Sequence, residues 1–528
     1  MYEKVVGRDR QREKKGVSSS GRRGGVEPRP NIEKQREVPQ METNERAKRE
    51  RYQAAEKELT KLIEEVEGIE KGNSKEVEEK IYQGIFKIGS RLMEGVLNKG
   101  QEAVPTKIEG KCGHAQKLVG YRPKKLLTLF GEVEWKRPYY QCQREQSEEG
   151  GEKEPAEPCS HGSCPEDELW GVEGKRTSPG VQRQVSYLCA MLTFEDAAET
   201  FRRMLPLGMS ARQALNLMKP VGKALEARED EAVQALFGQA LQSKTDEDEK
   251  PSQQIVKDIR RLYIELDGIF ARMRRGSVPM EEQELKRTGD IYREMKVGAT
   301  FLAERGRERS ELGEGVYIDT PKEGSMRSVA RRTARGGFGP LLSALAEATG
   351  LSRAQQVVVL GDGAVWIWKL VAEHFPDAIQ IVDLYHAEEH VWEVAHAVYG
   401  SQSQKACIWA NQACTLLSHG QIEELVEAIG KLPTIRPAEG ESRSVPEKAV
   451  DYFSINAERM RYPAFRAQGM HIGSGIAEAA CKTVVETRAK RSGMRWTPEG
   501  LDAVLPLRAA KLNGAYDQFW DDQSRLVA

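Results

Sequence analysis

The chain has 528 residues, too many for one compact core, and at roughly 150 residues per domain it divides into three or four. Apolar residues make up 39% and charged residues 30%, and no run approaches the ~20 consecutive apolar residues of a membrane-spanning helix. Eighty Lys and Arg against eighty-one Asp and Glu leave a net charge of −1, so a nucleic-acid partner has to be met by local basic patches rather than by a polycation.

The chain opens MYEKVVGRDRQREKKG, with charge where a signal peptide needs an apolar stretch, so a cytoplasmic location is expected. Residues 1–45 are rich in Gly, Ser, Pro, Arg, Lys and Glu and read as a disordered polar tail. In 46–100, Leu59, Leu62, Ile63 and Val66, then Ile81, Ile85, Ile88, Leu92 and Val96, recur at helical spacing and predict two amphipathic helices. Residues 101–175 change to β-leaning segments such as LLTLFGEVEWKRPYY, with a turn at Gly131 and a polar linker, EEGGEKEPAEP, behind it. Cys112, Cys142, Cys159 and Cys164 fall in this region, and in a cytosolic chain they point to a metal rather than to disulfides. Four thiolates suit tetrahedral Zn²⁺, although no tight CxxC pair is present. Residues 176–250 read as helices joined by a short PLG turn, an arrangement open to a helix-turn-helix or a plain helical hairpin.

From Arg261 the pattern turns α/β. RLYIELDG, IYREMKVGATFLAE and GVYIDT read as strands, SVARRTARGGFGPLLSALAEATG as a helix, then QQVVVLGDGA, VWIWKLVAEHF and AIQIVDLYH as strand, helix and strand. That order predicts a ribonuclease-H-like domain built from 258–387 and 471–515, interrupted by an all-α insertion at 388–470. The fold class expected is therefore multidomain α/β, with helical and small β, zinc-ribbon-like regions ahead of the catalytic domain.

Asp267 follows the buried-strand run RLYIEL and precedes Gly268; Asp362 follows VVVL and sits between two glycines. An acid at a strand end is commonly a turn former, but two in one sheet point to a site, and glycines there leave room for a metal or phosphate. Glu478 falls in the first turn of the helix predicted from GSGIAEAACKTVVETRAKRSGMRW, where the helix dipole or an i,i+4 pair with Lys482 would equally favour it. Three converging carboxylates repel one another unless cations of higher charge lie between them. Two Mg²⁺ (or Mn²⁺) about 3.5–4 Å apart would meet that need, one activating water or a 3′-hydroxyl and the other the leaving oxygen, the chemistry of phosphodiester cleavage and transfer. Asp383 and His386, in DLYH, read as a buried hydrogen-bonded pair rather than a metal site, and His390, four residues beyond His386, could share its helical face and bind a metal, although Glu388 and Glu389 suggest a simple polar helix start.

The motifs ELDG, LGDGAVWIW, DLYHAEEH and GSGIAEAACKTVVETRAKRSGMRW, spread from Arg261 to Leu512, resemble those of ISKra-type insertion-sequence transposases of bacteria, relatives of the Mutator-like superfamily. The resemblance implies that Asp267, Asp362 and Glu478 are a DDE triad and that Asp383 and His386 are the D-x-x-H motif preceding its Glu. It also implies double-stranded DNA as partner, at transposon ends and target, a homodimer bridging the two ends, and a nucleoid-associated protein. Arg212, Gln213 and Asn216 are then expected to face DNA from the second helix of the pair, and Lys482, Arg488, Lys490 and Arg491 to meet phosphates near the site. Trp392 and Trp409, in the insertion, are open to stacking on unpaired bases or to a place in the core. Two other readings share these residues: a nuclease that cuts without joining, and an inactive or domesticated transposase that only binds DNA.

Overall fold

The computed structural model describes residues 37–99, 104–142, 161–205, 207–245, 257–277, 284–285, 291–309, 317–332, 337–437 and 441–527. Most of the expected polar tail lies outside these residues, as do the EEGGEKEPAEP linker and Cys159; helix α1 (Glu37–Glu67) already occupies the tail's last positions. α2 (Ser74–Leu97), capped by the Asn73 side chain, packs back on α1 as the apolar spacing predicts.

A small sheet follows, β1 (Lys107–Glu109), β2 (Ala115–Thr128), β3 (Gly131–Cys142) and β4 (Gly162–Ser163), antiparallel in chain order, with helix α3 (Pro165–Leu169) beside it. Its buried cluster is small: Leu97, Leu126, Val133, Trp135 and Val172. Buried Asp167 is held by Lys124 at 3.0 Å and by Arg137.

Helices α4 (Pro179–Met191), α5 (Phe194–Met204) and α6 (Ala211–Thr245) come next. The expected first helix is in fact two, because Thr193 caps a new start by accepting from the Asp196 amide at 3.0 Å. This bundle does not stand apart. Its apolar residues share one cluster with Ile269, Ala271 and Met273 of the large sheet and with the C-terminal helices.

The large sheet contains β5 (Ile259–Arg272), β6 (Glu284–Leu285), β7 (Ile291–Glu308), β8 (Tyr317–Pro321), β9 (Arg327–Arg332), β10 (Ala354–Gly361) and β11 (Ile379–Val382). β7 runs antiparallel between β5 on one edge and β6, β9 and β8 on the other, while β10 and β11 lie parallel to β5. Across the sheet the order is β9-β7-β5-β10-β11; numbered by chain order among these five, it reads 3-2-1-4-5. α7 (Phe338–Thr349) and α8 (Val365–His374) make the two crossovers that parallel strands require. The structure corrects one expected element: Arg327–Arg332 is a strand, paired with Met295–Thr300, and the helix starts only at Phe338.

After β11 come α9 (Leu384–Tyr399), α10 (Gln404–Ser418), α11 (Ile422–Gly430), α12 (Val445–Asn456) and α13 (Tyr462–Ala467), the all-helical stretch the sequence predicts. Trp392 and Trp409 are half-buried against its core. The chain then returns to the sheet through α14 (Gly475–Ala480), a π-helical turn (Cys481–Glu486) and α15 (Thr487–Ala489), and ends in α16 (Pro498–Leu512) and α17 (Tyr516–Val527). Among the described residues no helix is long and apolar enough to cross a membrane.

Candidate active site

Strand register brings three aspartates into one row. Leu360 pairs with Glu265 and Gly361 with Val382; continuing the register sets Asp362 beside Asp267 on one side and Asp383 on the other. All three stand where the parallel half of the sheet ends, on strands spaced about 4.8 Å apart. The sequence alone puts Asp267 at the end of its strand, and this is corrected: β5 runs on to Arg272, with Asp267 opposite Val297 of β7. What ends beside Asp267 is its parallel neighbour β10, and that leaves the carboxyl half-buried rather than enclosed.

Each acid is fixed locally. The Asp267 carboxylate accepts from the Gly268 amide at 2.6 Å and from the Cys481 thiol of the π-helical turn. Burial raises its pKa, and the neighbouring Asp362 raises it further, so the pair calls for positive charge. Asp362 accepts from the Ala364 amide at 2.8 Å, an Asx turn into α8, and Tyr452 donates to its carbonyl at 2.9 Å. Gly363 is required here: its φ is +91°, and a Cβ would meet the Tyr452 ring at 2.5 Å.

Asp383 is committed differently from its two neighbours. One carboxylate oxygen caps α9, accepting from the Tyr385 and His386 amides at 2.6 and 3.1 Å; the other accepts from the amide and hydroxyl of Ser474. The Asp383–His386 contact therefore runs to the backbone, not to the imidazole. The His386 ring lies with Nδ1 3.3 Å from a Glu389 carboxylate oxygen and its centre 5.0 Å from that of the His390 ring, which in turn lies 4.2 Å from the Tyr452 ring. Burial first, then His386, lowers the pKa of His390. The i,i+4 spacing of the two histidines was the signal for this pairing.

Glu478 does not meet the aspartates in this structure. Its side chain is 63% exposed and binds Lys482 at 2.5 Å, the i,i+4 alternative open in the sequence. From the same helix it is Cys481, three residues on, that touches Asp267. Sequence reasoning missed Glu265, although strand alternation sets it on the same face as Asp267. Glu265 is fully buried, accepts from the Ala477 amide at 2.6 Å, and is pushed by burial up to about 8.

The family model described as "Uncharacterised protein family (UPF0236)" matches residues 342–521, from α7 to α17, a stretch that includes Asp362 and Asp383 but not Asp267. A UPF0236 protein of Caldanaerobacter subterraneus subsp. tengcongensis is 22% identical over 435 residues, 81% of this chain and 75% of its own length. Among solved structures, the Drosophila P element transposase strand transfer complex aligns at 11% identity over 65% of this chain and 81% of that one. Its TM-score is 0.20, a superposition too loose to bear on the fold.

The residues expected to face DNA divide into two groups. Arg212, Gln213 and Asn216 are exposed at the start of α6, where the side-chain Oε1 of Gln213 accepts from the Ser210 amide and hydroxyl, both at 2.9 Å, as a cap. Lys482, Lys490 and Arg491 are exposed, paired with Glu478, Glu486 and Asp196. Arg488 is corrected: it is fully buried, donating from Nε to the Cys189 carbonyl at 2.7 Å, with its guanidinium over Phe194 and Trp496.

Proposed function

We propose that the chain is a metal-dependent DNA strand-cleaving and strand-joining enzyme, a transposase of the DDE type on a ribonuclease-H-like sheet. The observation that carries this reading is the adjacency of Asp267 and Asp362 at the C-terminal edge of three parallel strands. The strand order 3-2-1-4-5 and the helical stretch between β11 and α14 support it. So does the relative's name, which carries eleven locus designations, the mark of a gene that has multiplied within one genome.

The donor set suits Mg²⁺ or Mn²⁺: two adjacent half-buried carboxylates, one with its pKa raised by burial and by its neighbour, open to solvent on one side. Asp267 and Asp362 would hold the ions, with Glu478 as third carboxylate once it exchanges Lys482 for a cation. When bound, such ions lower the pKa of an attacking water or 3′-hydroxyl and neutralise the leaving oxygen. Asp383 acts as a positioning residue: by capping α9 and tethering Ser474 it fixes the helix that bears His386 and the start of the helix that bears Glu478. Joining two transposon ends calls for two copies of the chain.

The Glu478–Lys482 pair favours one competing reading, a protein that binds DNA without cutting it. One experiment separates the two. Full-length protein is incubated with Mg²⁺ and DNA carrying the repeats that flank its own element. The transposase reading expects nicks at the ends, lost by 10³-fold or more in Asp267→Asn and Asp362→Asn while DNA affinity is kept. Tight binding by the native protein with no nicking in Mg²⁺ or Mn²⁺ sinks the enzyme reading.

A further inference from the structure

Far along the chain from the acid row, one end of the small sheet gathers a second set of metal-ligating atoms. The sulfurs of Cys112 and Cys142 and an imidazole nitrogen of His114 all lie within 4.8 Å of one another. The two sulfurs are 3.3 Å apart, well beyond the ~2.05 Å of a disulfide. A tetrahedron drawn with metal–sulfur bonds of about 2.3 Å has an edge near 3.8 Å, so a small outward movement of the thiols admits an ion.

The local fold explains the gathering. Between β1 and β2 the segment GKCGH makes a tight reversal, closed by the Gly110 amide on the His114 carbonyl and the Gly113 amide on the Gly110 carbonyl, each 2.9 Å. Gly113 takes φ +74°, and the reversal brings Cys112 and His114 onto the end of the sheet. Cys142 is the last residue of β3 and pairs directly with Gln116 of β2. Gln116 is 2% exposed, and its side-chain amide donates to both sulfurs, 3.5 Å to Cys142 and 3.9 Å to Cys112, while its carbonyl accepts from Ser163 at 2.5 Å. A buried amide aimed at two thiols is the outer hydrogen bonding that metal-bound sulfur takes, and it orients the ligands.

We propose that Cys112, His114 and Cys142 bind one Zn²⁺, with His161 as the fourth ligand. The β3–β4 register, Gln141 to Gly162, continues to Cys142 opposite His161, whose carbonyl accepts from the Cys142 amide at 3.0 Å; directly opposed residues share a face. This set differs from the four thiols the sequence suggests. Cys164 lines the same cavity and, like His161, falls outside the group of mutually close ligand atoms, but His161 stands directly opposite Cys142 whereas Cys164 lies beyond the end of β4. Cys159 lies outside the described residues. A zinc staple suits this unit physically, because its buried apolar cluster is too small to stabilise it alone.

The site is independent of the strand-transfer reading, and its test is separate. Full-length protein purified under reducing conditions should carry about one zinc per chain by elemental analysis, and Asp267→Asn should carry the same. Cys112→Ser/Cys142→Ser should retain less than a tenth of it, and His161→Ala should yield zinc to a competing chelator at least tenfold more readily. Because the double variant can misfold, the unmutated protein is also exchanged into Co²⁺, which should give the intense visible absorption of a tetrahedral cobalt thiolate. Native protein with reduced thiols and no zinc, full zinc in the double variant, or cobalt without thiolate absorption would each overturn the proposal.

Discussion

Arg488 and Lys490 lie two positions apart in one basic run, yet they do opposite work. Lys490 is exposed and paired with Glu486 at 2.8 Å, an interaction of about 0–1 kcal/mol at a wet surface. Arg488 is wholly enclosed, and burial lowers its pKa to about 10, which still leaves it charged at neutral pH. Its Nε bond to the Cys189 carbonyl joins α15 to the end of α4, and two aromatic rings take the place of water around the guanidinium. Replacing it strands that carbonyl and empties a large volume. Arg488→Met should therefore cost about 3 kcal/mol or more in urea denaturation, whereas Lys490→Gln should stay within about 0.5 kcal/mol. Equal midpoints for the two variants would contradict this packing. The sequence hides the distinction because a charge is read as surface until its partners are known, and the Cys189 carbonyl lies 299 positions away.

At the scale of elements, the crossing of α6 over α16 depends on one residue without a side chain. A Cβ on Gly222 would lie 2.2 Å from the Ala503 carbonyl oxygen, a backbone atom that cannot turn aside. Gly222→Ala should push the helices apart and lower stability by about 2 kcal/mol or more, read as a lower unfolding midpoint; an unchanged midpoint would mean the crossing is looser than it is here. The same neighbourhood holds the π-helical turn, where the Arg508 guanidinium takes up the Thr483 and Val484 carbonyls, the latter at 2.7 Å. Which of these elements could be read in advance follows from range. RLYIEL and VVVL announce buried strands because both faces of the sheet are covered, and the helices of 388–470 announce themselves by periodicity. Neither the strand at Arg327–Arg332 nor the π-helical turn has a local signal: the first exists because β7 offers a free edge, the second because Arg508 arrives from another helix. Asp362 is legible as a strand-end residue and Asp267 as an acid behind a buried-strand run, but the place of Asp267 within β5, Glu265 and the Asp383 tether to Ser474 need the register and the returning chain.

For the whole molecule, charge balance constrains how DNA would be held on the proposed strand-transfer reading. A net charge of −1 gives no long-range attraction, so affinity has to come from a patch where basic residues outnumber acids. Arg212 at the start of α6 and Lys490 just past the end of α15 are two exposed candidates for such phosphate contacts. Neither side chain carries load in the core. Each phosphate contact on duplex DNA contributes about 0.9 to the slope of log affinity against log salt. On the strand-transfer reading, Arg212→Gln/Lys490→Gln should lower that slope by about 1.8, weaken binding evenly across DNA sequences, and leave thermal unfolding unchanged. A titration series between low and moderate salt measures it. If the slope stays put while the protein remains folded, DNA is held elsewhere on the molecule. If affinity falls for one sequence alone, these side chains read bases rather than phosphates.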